Sequence, residues 1–141
     1  MSNELIAASL LLALTVMVHS VGMMALFRWV MRSLGIAASG FWPAAWLVIR
    51  IAYGLVAIHL IEIAVWAIYY WRQECLPDLE SSFYFSGVTY TTVGYGDIVL
   101  PEHWRLLGPV EGLTGILMCG LSTGFFFATL SRLYAIQQKG T

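Results

Sequence analysis

The sequence predicts an all-α membrane protein with three spanning helices and a shorter helix that enters the bilayer without crossing it. Three observations carry that reading. Of the 141 residues, 60% are hydrophobic and 11% charged, against about a quarter charged in soluble domains. The apolar residues gather in three long blocks. Between the second and third lies a stretch, residues 80–92, too short to span a bilayer and too apolar to stand in water. Such a stretch is expected to re-enter the membrane buried against protein.

The first block, residues 5–27, holds no charge, and its polar residues include Thr15, His19 and Ser20. It exceeds the ~20 residues that cross a ~30 Å hydrocarbon core. A cleaved signal fits poorly: the start, Met-Ser-Asn-Glu, lacks a basic residue, and the apolar run outlasts the roughly 7–15 residues of a signal. Residues 1–32 are therefore expected to be a retained N-terminal helix. Residues 33–43, with Gly, Ala and Ser before Phe41-Trp42-Pro43, read as a loop. The second helix is expected over 44–72, with Arg50 near its start and His59 and Glu62 inside. Asp78 after Pro77 offers an N-cap to the short helix, expected over about 79–91, and Glu80 suits its positive end. The third spanning helix is expected over about 104–134, with Glu111 as its internal charge, before a tail at 136–141. Trp29, Trp42, Trp46, Trp71 and Trp104 fall near the expected helix ends, as an interfacial aromatic belt requires.

Charge orients these helices. Arg28, Arg32 and Arg50 bracket the first connection, and Arg132 and Lys139 close the third helix. The segment between helices two and three holds Glu74, Asp78, Glu80, Asp97 and Glu102 against Arg72 and Arg105. The positive-inside rule then puts the first connection and the C-terminus in the cytoplasm, and the N-terminus and residues 71–103 outside. A net charge of −1 argues against a nucleic-acid partner. Cys75 and Cys119 have neither metal-site spacing nor the number for a disulfide scaffold. Cys75 is expected as a free thiol in the outer loop, with an intersubunit disulfide as the alternative, and Cys119 as buried and inert.

After the short helix comes Thr91-Thr92-Val93-Gly94-Tyr95-Gly96-Asp97. Glycines alternating with larger residues permit positive φ without steric cost, so that successive carbonyls can face one side. Four such strands around an axis would stack cages of oxygen, without formal charge, that replace the water of a monovalent cation. The seven residues match the potassium-channel signature TTVGYGD at every position, and the order of outer helix, short helix, signature and inner helix matches over 44–135. The chain thus resembles the potassium-channel pore family.

That resemblance implies a homotetramer in membrane lipid, with no cofactor beyond K⁺ as the permeant ion and no enzymatic activity. Thr92, Val93, Gly94 and Tyr95 would supply the K⁺-binding oxygens, supported by Thr91, Gly96 and Asp97. Tyr84 and Phe85 occupy the positions of the aromatic cuff around Tyr95. Val88 stands where some members carry a glutamate that pairs with the aspartate, so Asp97 must find another partner or face water. Gly115 and Gly120 are candidate hinges of the inner helix. Thr123, Phe126 and Phe127 are candidates for an apolar gate. The family reading implies a plasma-membrane channel selective for K⁺. A less selective cation channel, or a silent or regulatory subunit, is the alternative. An extra N-terminal helix departs from the two-helix pattern, and an unidentified regulatory partner is one reading of it.

Three internal ionisable residues stay open between sensing and structure. His59 and Glu62 share one helix face, either as a proton-sensitive contact or as a hydrogen-bonded pair locking helix two to its neighbours. His-x-x-Glu lacks the second histidine of the helical zinc-protease motif, which argues against a metal site or peptidase. If Gly108 caps the third helix and Pro109 opens it, Glu111 falls at the third helical position and can reach its own helix's free N–H groups. Otherwise it is a partner for the backbone of the short helix or for Asp97. His19 is expected as an interhelical hydrogen-bonder. No helix carries the repeated arginines of a voltage sensor, and no nucleotide- or calcium-binding domain is expected after the inner helix.

Overall fold

Four helices account for most of the described residues, because long apolar runs can satisfy their backbone polar groups in lipid only by coiling. A computed structural model of the chain describes residues 2–139. Helix α1 runs over Ser2–Ala37, α2 over Phe41–Arg72, α3 over Leu79–Tyr90 and α4 over Leu107–Lys139, with a 3-10 turn at Glu102–Trp104 before α4. No strand forms among the described residues. The three long helices are each long and apolar enough to cross a membrane, and α3, with 12 residues, is not.

Two boundaries differ from expectation. The loop expected over 33–43 is only residues 38–40: α1 continues to Ala37 and α2 starts at Phe41. Burial decides this. Leu34 and Ala37 pack with Leu47 and Ile51 of α2, so the last turn of α1 gains more from the core than its Gly and Ser content costs. Pro43 stands in the first turn of α2, where its missing N–H would have had no partner anyway. The third long helix also starts late, at Leu107, since residues 102–104 form the tighter turn. At the other end α4 extends through most of the expected tail, of which residues 140–141 lie outside the described region.

Helices α1 and α2 run antiparallel: Thr15 meets Trp66, His19 meets Glu62, and Trp29 lies under the Arg50 guanidinium. Their packing builds two apolar clusters. Ala7, Ala8 and Leu11 of α1 join Trp66, Tyr70, Phe85, Leu100 and Leu107 at the end that carries α3. Val30, Leu34, Leu47, Ile51, Leu55, Ile58 and Leu133 fill the opposite end. Between them lies a buried polar layer of Thr15, His19, Glu62 and Tyr90.

The links around α3 are short and closed by hydrogen bonds. At the end of α2, Cys75 N donates to Tyr70 O and Glu74 N to Trp71 O, with Glu74 in the left-handed region at φ 51°. This is a Schellman stop, with glutamate where glycine is the usual choice. Asp78 caps α3 as its sequence position implies, accepting from Ser81 N at 2.7 Å and from Ser81 Oγ at 3.1 Å. Cys75 is buried and free, packed in the core beside Tyr70 and Leu76; burial pushes its thiol up to about 11. Cys119, expected buried, is exposed on the single chain, because its side of α4 borders a groove beside Val56 and His59 rather than the core.

Candidate functional site

Residues 91–97 begin where α3 stops. Thr91 closes the helix, its N–H and its hydroxyl both bonding Gly87 O. Thr92 N donates to Thr89 O, and Gly94 N to Val88 O at 3.0 Å, so the segment folds back along the last turn of α3. Thr92, Gly94 and Gly96 take positive φ of 62°, 51° and 79°, and Val93 and Tyr95 between them do not. Positive φ at every second residue is the backbone that the glycine spacing predicts for a strand whose successive carbonyls can face one side. Glycine accepts this freely. Threonine does not: a β-branched residue at positive φ is strained, and such strain collects at functional segments.

All seven residues are exposed on the single chain, with Tyr95 72% accessible. The question of a partner for Asp97 has a direct answer. The Tyr84 hydroxyl donates to Asp97 Oδ2 at 2.7 Å. That bond holds the Asp97 carboxyl below the usual carboxylate range, and it pushes the Tyr84 phenol up. Phe85, the other cuff position, turns instead into the core, edge-on to Tyr70 at 5.3 Å between ring centroids. Val88 is partly buried and contributes its carbonyl to Gly94 rather than a side-chain brace.

The C-terminal end of α3 rests on α4 at Gly115. A methyl group there would lie 2.9 Å from the Tyr90 carbonyl carbon and closer still to its oxygen, so Gly115 is needed for close approach. Gly120, the other candidate hinge, faces open space. The gate candidates also separate. Phe126 packs against the far apolar cluster with Phe125, whereas Phe127 is 71% exposed. Thr123 is exposed and bonds back to Cys119 O.

Two buried carboxyl groups hold α3 in place. Glu111 accepts from Tyr70 Oη at 2.7 Å and from Ser86 Oγ, and Ser86 Oγ also lies 3.0 Å from Ile63 O. The expected bond from Glu111 to its own helix N-terminus does not form. Because α4 starts at Leu107, Glu111 is already in the second turn, and hydroxyls of α2 and α3 reach it first. Glu62 has no exposed surface. It bonds His19 Nδ1 at 2.8 Å, His59 Nδ1 at 3.0 Å and the Tyr90 hydroxyl. The expected pairing of His59 with Glu62 is present, and His19 makes its interhelical bond to the same carboxyl.

Tyr70, Ser86 and Tyr90 were not singled out by the sequence reading. Their signal is periodicity: Glu62, Trp66 and Tyr70 on α2, and Ser82, Ser86 and Tyr90 on α3, recur at spacings of four and are buried, so each set lines one helix face.

Residues 45–132, well over half of the chain, match a family model described as ion channel. The match takes in α2, α3, the 91–97 segment and most of α4, and leaves α1 outside. No curated protein and no solved structure matches the chain.

Proposed function

Because the chain belongs to the ion-channel family and carries three helices able to cross a membrane, we propose that this integral membrane protein is one subunit of a tetrameric potassium-selective channel. The observation that carries the reading is the alternation of φ along Thr92, Gly94 and Gly96 within a seven-residue match to the potassium signature. In this reading four copies bring their carbonyl edges to a common axis. Thr92, Val93, Gly94 and Tyr95 then offer rings of uncharged oxygen that replace the ion's hydration shell. Rings without formal charge hold a monovalent cation weakly enough for it to leave.

The remaining residues take supporting parts. The Tyr84–Asp97 bond braces the outer end of the filter, and Thr91 and Gly96 set its ends. Glu111 and Glu62 fix α3 from two sides, so that its negative C-terminal end faces the ion path. On α4, Leu113, Leu117, Leu121 and Phe127 are exposed on the single chain, and with Gly120 and Gly124 they form a continuous uncovered face. That face supports assembly around an axis, with Phe127 the gate residue and Gly120 the hinge. Charge asymmetry supports a plasma-membrane orientation with the N-terminus and filter outside and the C-terminus in the cytoplasm.

Ion flux into liposomes holding only the purified protein tests this. Potassium uptake far above sodium uptake, blocked by barium, is the expected result. Equal fluxes would favour the less selective cation channel, and no flux the silent or regulatory subunit. Gly94→Ala should abolish flux, since alanine resists φ of 51°; unchanged selective flux in that variant would remove the filter assignment.

A further inference from the structure

We propose that His19, His59 and Glu62, closed by Tyr90, form a buried binding site for a divalent transition metal of the zinc class. The sequence argued against zinc because His-x-x-Glu lacks a second histidine. The fold supplies one from another helix. His19 Nδ1 of α1 stands 2.8 Å from Glu62 Oε1, and His59 Nδ1 stands 3.0 Å from Glu62 Oε2. One ligand atom from each of the three residues lies within 4.8 Å of the others. The Tyr90 hydroxyl is 3.0 Å from His59 Nδ1 and bonded to Glu62, which makes a fourth donor from a third helix.

Two imidazole nitrogens and two oxygens are a zinc-type donor set. Magnesium and calcium prefer six or more oxygens, and imidazole selects the later transition metals. Zinc bonds of about 2.0–2.1 Å in a tetrahedron put neighbouring donors about 3.4 Å apart. His19 and His59 meet opposite oxygens of the Glu62 carboxyl, at 2.8 and 3.0 Å, and one ligand atom from each residue lies within 4.8 Å of the others, so side-chain rotations would bring both imidazoles to a metal held by one Glu62 oxygen.

Charge also fits a dry site. Neutral imidazoles with one carboxylate reduce a divalent ion to a net +1, with the Tyr90 hydroxyl as a neutral fourth donor. His19 Nε2, on the side of the ring away from Glu62, is buried with no partner, and such an orphan calls for a water. A metal on Nδ1 fixes the ring proton on Nε2, where a buried water is the fitting partner. Access is through His59, whose side chain is 19% exposed and opens on the groove lined by Cys119, Ser122 and Thr123.

The test is metal content and spectroscopy on the full chain purified in detergent, which needs no channel activity, so failure of the flux assay and failure of this site are separate results. Zinc is expected at one equivalent per chain after dialysis. Cobalt(II), used as the probe, should give the intense visible bands of four-coordination, and zinc should quench them. His19→Gln keeps a hydrogen-bonding group without an imidazole, and it should weaken binding by at least about 100-fold, beyond the ~10–100-fold cost of losing an outer partner. Cys119→Ser should leave binding unchanged. A weak six-coordinate cobalt spectrum, binding unaltered by His19→Gln, or binding abolished by Cys119→Ser would each overturn the site.

Discussion

The Tyr84 hydroxyl and the Asp97 carboxyl, 13 residues apart, meet at 2.7 Å and tie the far end of the 91–97 segment to the first half of α3. The bond lowers the Asp97 pKa from its ordinary value. A lowered carboxylate contributes stability that is complete above its unfolded pKa and lost as pH falls through the folded value. Removing the phenol with Tyr84→Phe should return Asp97 towards its ordinary range. Acid inhibition of flux should then begin at a higher external pH than in the parent, as pH titration of liposome flux would show. An unshifted profile would mean that the bond does not govern Asp97.

Gly115 and Gly120 should respond oppositely to a single methyl group. Gly115→Ala drives a carbon into the Tyr90 carbonyl, and forced overpacking costs about 1–3 kcal/mol or more. Loss of assembled protein on size-exclusion chromatography is expected. Gly120→Ala enters open space within the subunit and should leave the subunit fold, read as helical content, unchanged; loss of fold in both variants would contradict the packing described here.

Glu74 occupies a left-handed position that only glycine adopts without cost. Glu74→Gly should stabilise the α2–α3 link by about 1 kcal/mol, read as a rise in Tm. A fall in Tm would show that the glutamate side chain contributes more than its backbone costs.

Glu111 accepts two buried hydroxyl donors. Glu111→Ala leaves the buried Tyr70 hydroxyl unpaired and Ser86 with Ile63 O alone, at a cost of about 2 kcal/mol. Glu111→Gln, of similar size and still an acceptor, should lose less than half of that in the same thermal assay. Equal losses would mean that the charge, not the hydrogen bonding, matters at this position.

Cys75 is 5% exposed, and burial raises its thiol to about 11, so little nucleophilic thiolate exists at pH 8. Maleimide should label it slowly in the folded protein and rapidly after denaturation. A disulfide-linked dimer on a non-reducing gel would refute the free thiol.

Much of this architecture is legible in the sequence, because length and apolarity decide it locally. Asp78 announces the start of α3, and the glycines at 94 and 96 announce the backbone they permit. What the sequence hides is which polar residues share a layer. His19 and Glu62 are 43 positions apart, and only the antiparallel packing of α1 on α2 brings them together. Glu111 misled for a related reason: a two-residue change in where α4 starts moves its carboxyl from its own helix to two neighbours. The extent of α1 was hidden because Leu34 and Ala37 depend on burial against α2, which local composition does not report.

The polar layer between the two apolar clusters has a consequence for α1. Among lipid tails as apolar as leucine, an apolar helix has little to stop it sliding along its neighbour. Here a slip of one turn, about 5.4 Å, would carry His19 off Glu62 and Thr15 off Trp66, leaving the His19 ring and the Trp66 indole N–H without their partners. The layer therefore acts as a key that admits a single register of α1 on α2. Since Glu62 also bonds Tyr90, that register is transmitted to the residue immediately before the 91–97 segment.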